Sequence, residues 1–217
     1  MGCQDQGTSP DLFIVDLQNL SNPGSLSAID TSADNRDVYV FENNAFVATS
    51  DDAKNIKFWD ITDSTNPVNF GYFDALGSVN SVAYDGKNIY LASDSDNAEF
   101  QVARNDWQAT PILSLAGSLN LSSNAYGLVI KDEHALVATA LGLVTIDVSA
   151  SSNPQKITTN NIASVTGVSM DSRGYLYLST ADDNKEVQVF EPAPENKGFV
   201  NIGSYSSAPY NSGLSST

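Results

Sequence analysis

Histidine and cysteine are almost missing from this chain: 217 residues hold one of each. His134 sits in a polar turn with no serine or cysteine motif beside it, so the inventory for a Ser–His–Asp triad is lacking. One His and one Cys assemble no zinc set, and no glycine-rich phosphate cradle occurs. Cys3 has no partner for an internal disulfide. Basic residues are scarce too: 10 Lys plus Arg against 26 Asp plus Glu leave a net charge of −16. Such a surface repels phosphate backbones and anionic membranes, which removes nucleic acid from the partners and favours cations or basic proteins. No apolar run approaches the ~18–20 residues of a membrane helix, so no membrane insertion is expected. A helical period over eleven or more residues is absent as well.

What the chain has is a repeat. An apolar strand ends in an acid, a polar turn closes on Asn-Pro or its equivalent, and a second apolar strand follows. Ile14-Val15-Asp16-Leu17 leads to Asn22-Pro23, and Phe58-Trp59-Asp60-Ile61 to Asn66-Pro67. Val102-Ala103-Arg104 leads to Thr110-Pro111, Thr145-Ile146-Asp147-Val148 to Asn153-Pro154, and Val187-Gln188-Val189-Phe190 to Lys197-Gly198. Successive turns are 44, 44, 43 and 44 residues apart. A fixed period of that length built from strands alone marks a β-propeller.

Four strands fill each unit. The first strands contain Val38-Tyr39-Val40, Val82-Ala83-Tyr84, Leu128-Val129-Ile130 and Val168-Ser169-Met170. In the turns after them, Asn43-Asn44, Asp85-Gly86 and Arg173-Gly174 supply the positive φ of tight hairpins. The second strands are the most regular: Phe46-Val47-Ala48-Thr49, Tyr90-Leu91-Ala92-Ser93, Leu136-Val137-Ala138-Thr139 and Tyr177-Leu178-Ser179-Thr180. Their small third residues (Ala48, Ala92, Ala138, Ser179) are expected to be buried between neighbouring blades. The expected fold is therefore all-β: a five-bladed propeller of four-stranded antiparallel blades in a single domain, residues 1–217.

Phe46-Val47-Ala48-Thr49-Ser50-Asp51-Asp52, followed by Ile56-Lys57-Phe58-Trp59-Asp60-Ile61 and Asn66-Pro67, resembles the LVIVD-repeat propellers common in bacterial and archaeal surface proteins. The resemblance spans residues from about 11 to 205. It implies a scaffold, with no shared active-site motif to carry over. This chain departs from the pattern at Arg104, which replaces the strand acid, and at Pro192 and Pro194, which occupy the fifth turn.

The two ends carry complementary parts of one blade. Residues 1–10 are expected to be a poorly ordered or irregular N-terminal segment, and 11–30 to supply a third and a fourth strand. In the C-terminal segment 206–217, residues 211–217 align with the beginning of a first strand. This predicts one blade shared between the termini, with 206–217 closing the ring or starting a further blade. The competing expectation is a fragment of a longer array.

Three sets of side chains invite a functional reading. The strand acids Asp16, Asp60 and Asp147 precede Asn-Pro turns, where a carboxylate accepts backbone N–H bonds, so their expected role is structural. The hairpins between second and third strands carry Asp51-Asp52, Asp94, Asp96 and Glu99, and Asp182-Asp183. Alternating oxygen ligands are what Ca²⁺ requires, which makes Asp94, Asp96, Glu99, Asp182 and Asp183 metal candidates; a solvated turn without metal is the plainer expectation, and no other cofactor is implied. Trp107, Tyr84 and Tyr126 are the aromatic contact candidates, while Trp59 falls in an apolar strand and reads as core.

These features point to a non-enzymatic interaction or adhesion module of a microbial cell-surface or secreted protein. Its partner would be a protein or a surface glycan, with neighbouring domains or subunits as further contacts. Gly2-Cys3 resembles the lipid-bearing edge of a bacterial lipoprotein, against the plainer reading of an ordinary thiol. One alternative is a glycan hydrolase or lyase with carboxylates at the axis, for which Asp37, Asp85, Asp132 and Asp171 are available. The other is a structural building block of a surface filament or larger multidomain protein.

Overall fold

The computed structural model describes residues 9–106, 112–193 and 198–206. Period-two alternation and turn residues produce eighteen strands among them and no α-helix; no helix is long and apolar enough to cross a membrane. The first sheet pairs β1 (Leu12–Asp16) with β2 (Gly24–Ile29). The second contains β3 (Asn35–Phe41), β4 (Asn44–Thr49), β5 (Ile56–Asp60) and β6 (Val68–Phe73). The third contains β7 (Val79–Tyr84), β8 (Asn88–Ser93), β9 (Phe100–Asp106) and β10 (Ile112–Leu119). The fourth runs through β11 (Ala125–Lys131), β12 (His134–Thr139), β13 (Gly142–Asp147) and β14 (Gln155–Asn160). The fifth comprises β15 (Val165–Met170), β16 (Leu176–Thr180), β17 (Val187–Pro192) and β18 (Phe199–Tyr205).

Each four-stranded sheet is an antiparallel meander, β1 and β2 form an antiparallel pair, and the first strands β3, β7, β11 and β15 lie beside one another from sheet to sheet. Meanders joined edge to edge through their innermost strands make the blades of a β-propeller, five in all. The core lies between blades. Phe46, Ala48, Ile56 and Phe58 of the second blade pack on Val82, Ile89 and Leu91 of the third. Tyr90, Ala92 and Val102 pack on Leu128, Ala135 and Val137, and Leu136, Ala138 and Leu143 on Val165, Leu176 and Leu178.

Recurring polar devices fix the units. Asp16, Asp60 and Asp147 each accept the backbone N–H two residues on, from Gln18 (2.8 Å), Thr62 (2.8 Å) and Ser149 (2.9 Å). These are the turn-fixing bonds that the sequence predicts. The hydroxyls closing the second strands, Thr49, Ser93, Thr139 and Thr180, donate across their hairpins to the carbonyls of Lys54, Ala98, Gly142 and Lys185.

Two expectations need correction. In the first complete hairpin Phe41 pairs with Asn44, which places the two-residue loop one position earlier than the Asn43-Asn44 reading, so Glu42 takes the positive φ (52°). Gly86 and Gly174 do turn left-handed, at φ 94° and 86°. Ala48, Ala92 and Ala138 are fully buried, but Ser179 at the same repeat position is exposed. Its side of β16 is the one a following blade would cover, and no other blade lies over it among the described residues. The paired strands expected from the two termini fall on residues 1–8 and 207–217, outside the described residues.

Candidate binding surfaces

At one end of the propeller, every complete blade bulges its first strand at one residue. Pairing skips Arg36 on β3, Asn80 on β7, Tyr126 on β11 and Thr166 on β15. A bulged residue escapes the ladder and is re-aimed, here at the mouth of the axis. Arg36 Nη1 donates to Asn80 Oδ1 at 2.9 Å, and Asn80 Nδ2 donates to the Ala125 carbonyl at 2.9 Å, so the girdle is tied from blade to blade. Arg36, Tyr126 and Thr166 are exposed. Tyr126 was legible as a contact candidate; Arg36, Asn80 and Thr166 were not. Their signal is positional, since each stands immediately before the residue at which regular pairing with the second strand resumes.

The same end carries the acidic hairpins, because each hairpin bonds to the residue preceding a first strand. Ser50 N–H donates to the Asp34 carbonyl, Asp94 N–H to that of Ser78, and Ala181 N–H to that of Ser164. Asp52, Asp96 and Asp183 are exposed around this rim. The fourth blade has Leu141 there instead, 54% exposed.

The metal candidates do not converge. Among the described residues no three His, Cys, Asp or Glu side chains gather as a metal ion requires. Asp94 Oδ1 accepts Ser78 N–H at 2.8 Å, and Asp182 Oδ1 accepts Asn184 N–H at 2.9 Å. Asp96 and Asp183 take part through their backbone carbonyls, which accept from Asn120 Nδ2 and Ser206 Oγ. Glu99 is 3% exposed and its Oε2 accepts Leu121 N–H at 2.8 Å. It belongs with Asp11 and Asn55, buried acceptors spaced 44 residues apart that hold Thr31 N–H and Ala75 N–H. All three bracket the segment leading into the next blade. Lys57, also buried, reaches the Thr31 carbonyl and pairs with Asp51 at 3.2 Å. Hydrogen bonding from Ala53 N–H, with the Lys57 ammonium beside it, holds the Asp51 carboxyl below the usual carboxylate range.

The aromatic candidates separate. Tyr84 is 5% exposed, sandwiched by Phe41 (5.3 Å between centroids) and Phe46 (4.8 Å), so it is core and offers no contact surface. Trp107 lies outside the described residues. Trp59 is half-buried against the first blade.

Of the carboxylates considered for catalysis, Asp37, Asp85 and Asp171 are engaged in hydrogen bonds, and Asp132 is exposed in the turn after β11. Asp37 Oδ2 accepts both Ser81 Oγ (2.7 Å) and Val82 N–H (3.0 Å) at the mouth. At the other end of the first strands, Asp85 accepts Asn88 N–H and the Tyr90 hydroxyl, and Asp171 accepts Tyr175 N–H, the Tyr177 hydroxyl and the Arg173 guanidinium. Burial, then the bond to Asp85, pushes the Tyr90 phenol well above its ordinary pKa.

No protein-family model and no curated relative matches the chain. Among solved structures it resembles a protein from Lactobacillus plantarum, at a TM-score of 0.76 and 12% identity over 97% of this chain and 67% of that one. It also resembles the β-propeller domain of Myceliophteria thermophila Cps50 (Swd1), with a TM-score of 0.60 and 13% identity over 84% of this chain and 63% of that one. A chain of a nidogen/laminin complex matches at a TM-score of 0.60 and 13% identity, over 84% of this chain and 71% of that one. At such identities the likeness is one of fold, that of a β-propeller, and in this chain the propeller is all-β with five blades.

Proposed function

We propose that this propeller is a non-enzymatic interaction module of a microbial cell-surface or secreted protein, and that it binds a basic protein segment at its axial mouth. The observation that carries this reading is the shared end: exposed Asp52, Asp96 and Asp183 from three blades surround a girdle of unlike side chains on a rigid frame. Rigid scaffolds that vary at their loops suit recognition. A net charge of −16 favours and steers a cationic partner. Surface placement rests on composition and on the LVIVD resemblance, and is tested by protease shaving of intact cells.

A photo-cross-linker at Tyr126 should capture one discrete partner, whose affinity falls with added salt and in a D52N/D96N/D183N variant. The same cross-linker at Tyr72, 54% exposed on the outer strand β6, should not capture it. Equal capture from both positions, or salt-independent binding, contradicts the reading.

A further inference from the structure

Forward faces of the blades differ at one row. Where the third and fourth strands pair in register, Phe58 stands opposite Gly71, Val102 opposite Gly117 and Val189 opposite Gly203. In the fourth blade the same row holds Thr145 opposite Thr158. At the interface between third and fourth blades the glycine has a visible purpose. A Cβ on Gly117 would lie 2.5 Å from the Ser151 carbonyl oxygen and 2.9 Å from Pro154 Cδ, so the Asn-Pro turn of the following blade seats on bare backbone.

Between the fourth and fifth blades both halves of that fit are changed. Thr158 puts a side chain where the glycine would be; facing it, β17 ends at Pro192 and Ala193 N–H donates to the Gly198 carbonyl, with Lys197-Gly198 in the sequence where the fourth blade has Asn153-Pro154. A cleft of about 780 Å³ lies at this place, within the ~300–1,000 Å³ range of small-molecule sites. Thr145, Thr158, Asn160 and His134 line it with neutral hydrogen-bonding groups, while Ile157 and Phe199 give it apolar walls. Lys131 on its rim is outnumbered by Asp132 and Glu133, so an anion gains no net attraction there.

We infer that this inter-blade cleft is a binding site for a neutral mono- or disaccharide. Sugars combine hydroxyls, which the two threonines, Asn160 and His134 match, with C–H faces that pack on Ile157 and Phe199. The site is separate from the axial mouth and does not depend on what binds there.

The test is titration of the protein with maltose, cellobiose, lactose and diacetylchitobiose, read by saturation-transfer NMR and calorimetry. At least one should bind at millimolar concentration or better. T158F, which fills the cleft, should weaken binding by about tenfold or more, and the isosteric T145V by roughly threefold to tenfold through a lost hydroxyl. Y72A on the outer strand of the second blade should leave the affinity unchanged. Absence of binding by all four sugars overturns the inference, as does binding that both T158F and T145V leave intact. Should T158F fail to fold, T145V alone decides, by the same criterion.

Discussion

Ala92 and Ser179 occupy the same place in their repeats, yet one is fully buried and the other exposed. Ala92 on β8 is pressed between the third blade and the fourth, in a cluster with Tyr90, Val102, Leu128 and Val137. Ser179 on β16 lies on a face that no other blade covers among the described residues, and its hydroxyl accepts from Thr166 Oγ1 at 3.0 Å. Neighbouring positions follow suit. Phe58 and Val102 are 1% and 0% exposed, whereas Val189 is half-buried and Val187 beside it is 38% exposed. In the first blade, Phe13 and Val15 of β1 are 39% and 44% exposed. The repeat therefore specifies which residues are offered for burial, and the following blade determines whether burial happens. In a propeller, stability resides in interfaces between units more than in the units themselves.

The largest effect expected from this contrast comes from bulk. Ala92→Phe should cost about 1–3 kcal/mol by overpacking a filled interface, while Ser179→Phe should stay within roughly 0.5 kcal/mol, as surface changes do. Chemical denaturation of the two variants measures both. Equal costs would mean that the Ser179 face is covered as tightly as the interfaces between complete blades.

Next comes the polar bracket. Glu99→Ala leaves the Leu121 N–H buried without its acceptor and should cost about 1–3 kcal/mol, whereas Asp96→Ala on the exposed rim should cost close to nothing. A large loss from Asp96→Ala would restore a structural or metal role to that hairpin.

The smallest effect is acid sensitivity of the strand-end turns. The Thr62 hydroxyl, then its N–H, holds the Asp60 carboxyl below the usual carboxylate range, and Ser149 does the same for Asp147. A carboxyl depressed by folding stabilises the native state above its unfolded pKa of ~3.9. That contribution is lost as pH falls through the lower folded value. Melting temperature should thus drop below about pH 4, and Asp60→Asn should reduce the slope, since an Asn side chain keeps the turn bond without titrating.

Much of this was legible before any coordinates. The 44-residue period gave the blades, and the acids before Asn-Pro turns announced their hydrogen bonds because donor and acceptor are two residues apart. Glu99 was misread for the opposite reason. Its spacing from Asp94 and Asp96 looks like a ligand set, but its partner Leu121 is 22 residues away, and only the register with Asp11 and Asn55 exposes the bracket. Tyr84 is an aromatic contact candidate by sequence; its burial comes from Phe41 and Phe46 across a blade boundary that local sequence does not display. The cleft rests on Thr145 facing Thr158, a cross-strand pair that exists only once the register is known. Arg36, Asn80, Tyr126 and Thr166 share no residue type, so nothing but the bulge unites them.

Native-state amide hydrogen exchange tests the contrast most directly, since protection reports the local cost of opening. Amides in β8 and β12, each enclosed between two blades, should exchange slowest, near the global unfolding limit. Those of β1 and β2, packed on the second blade alone among the described residues, should exchange much faster. Protection in β1 equal to that in β8 would contradict the account.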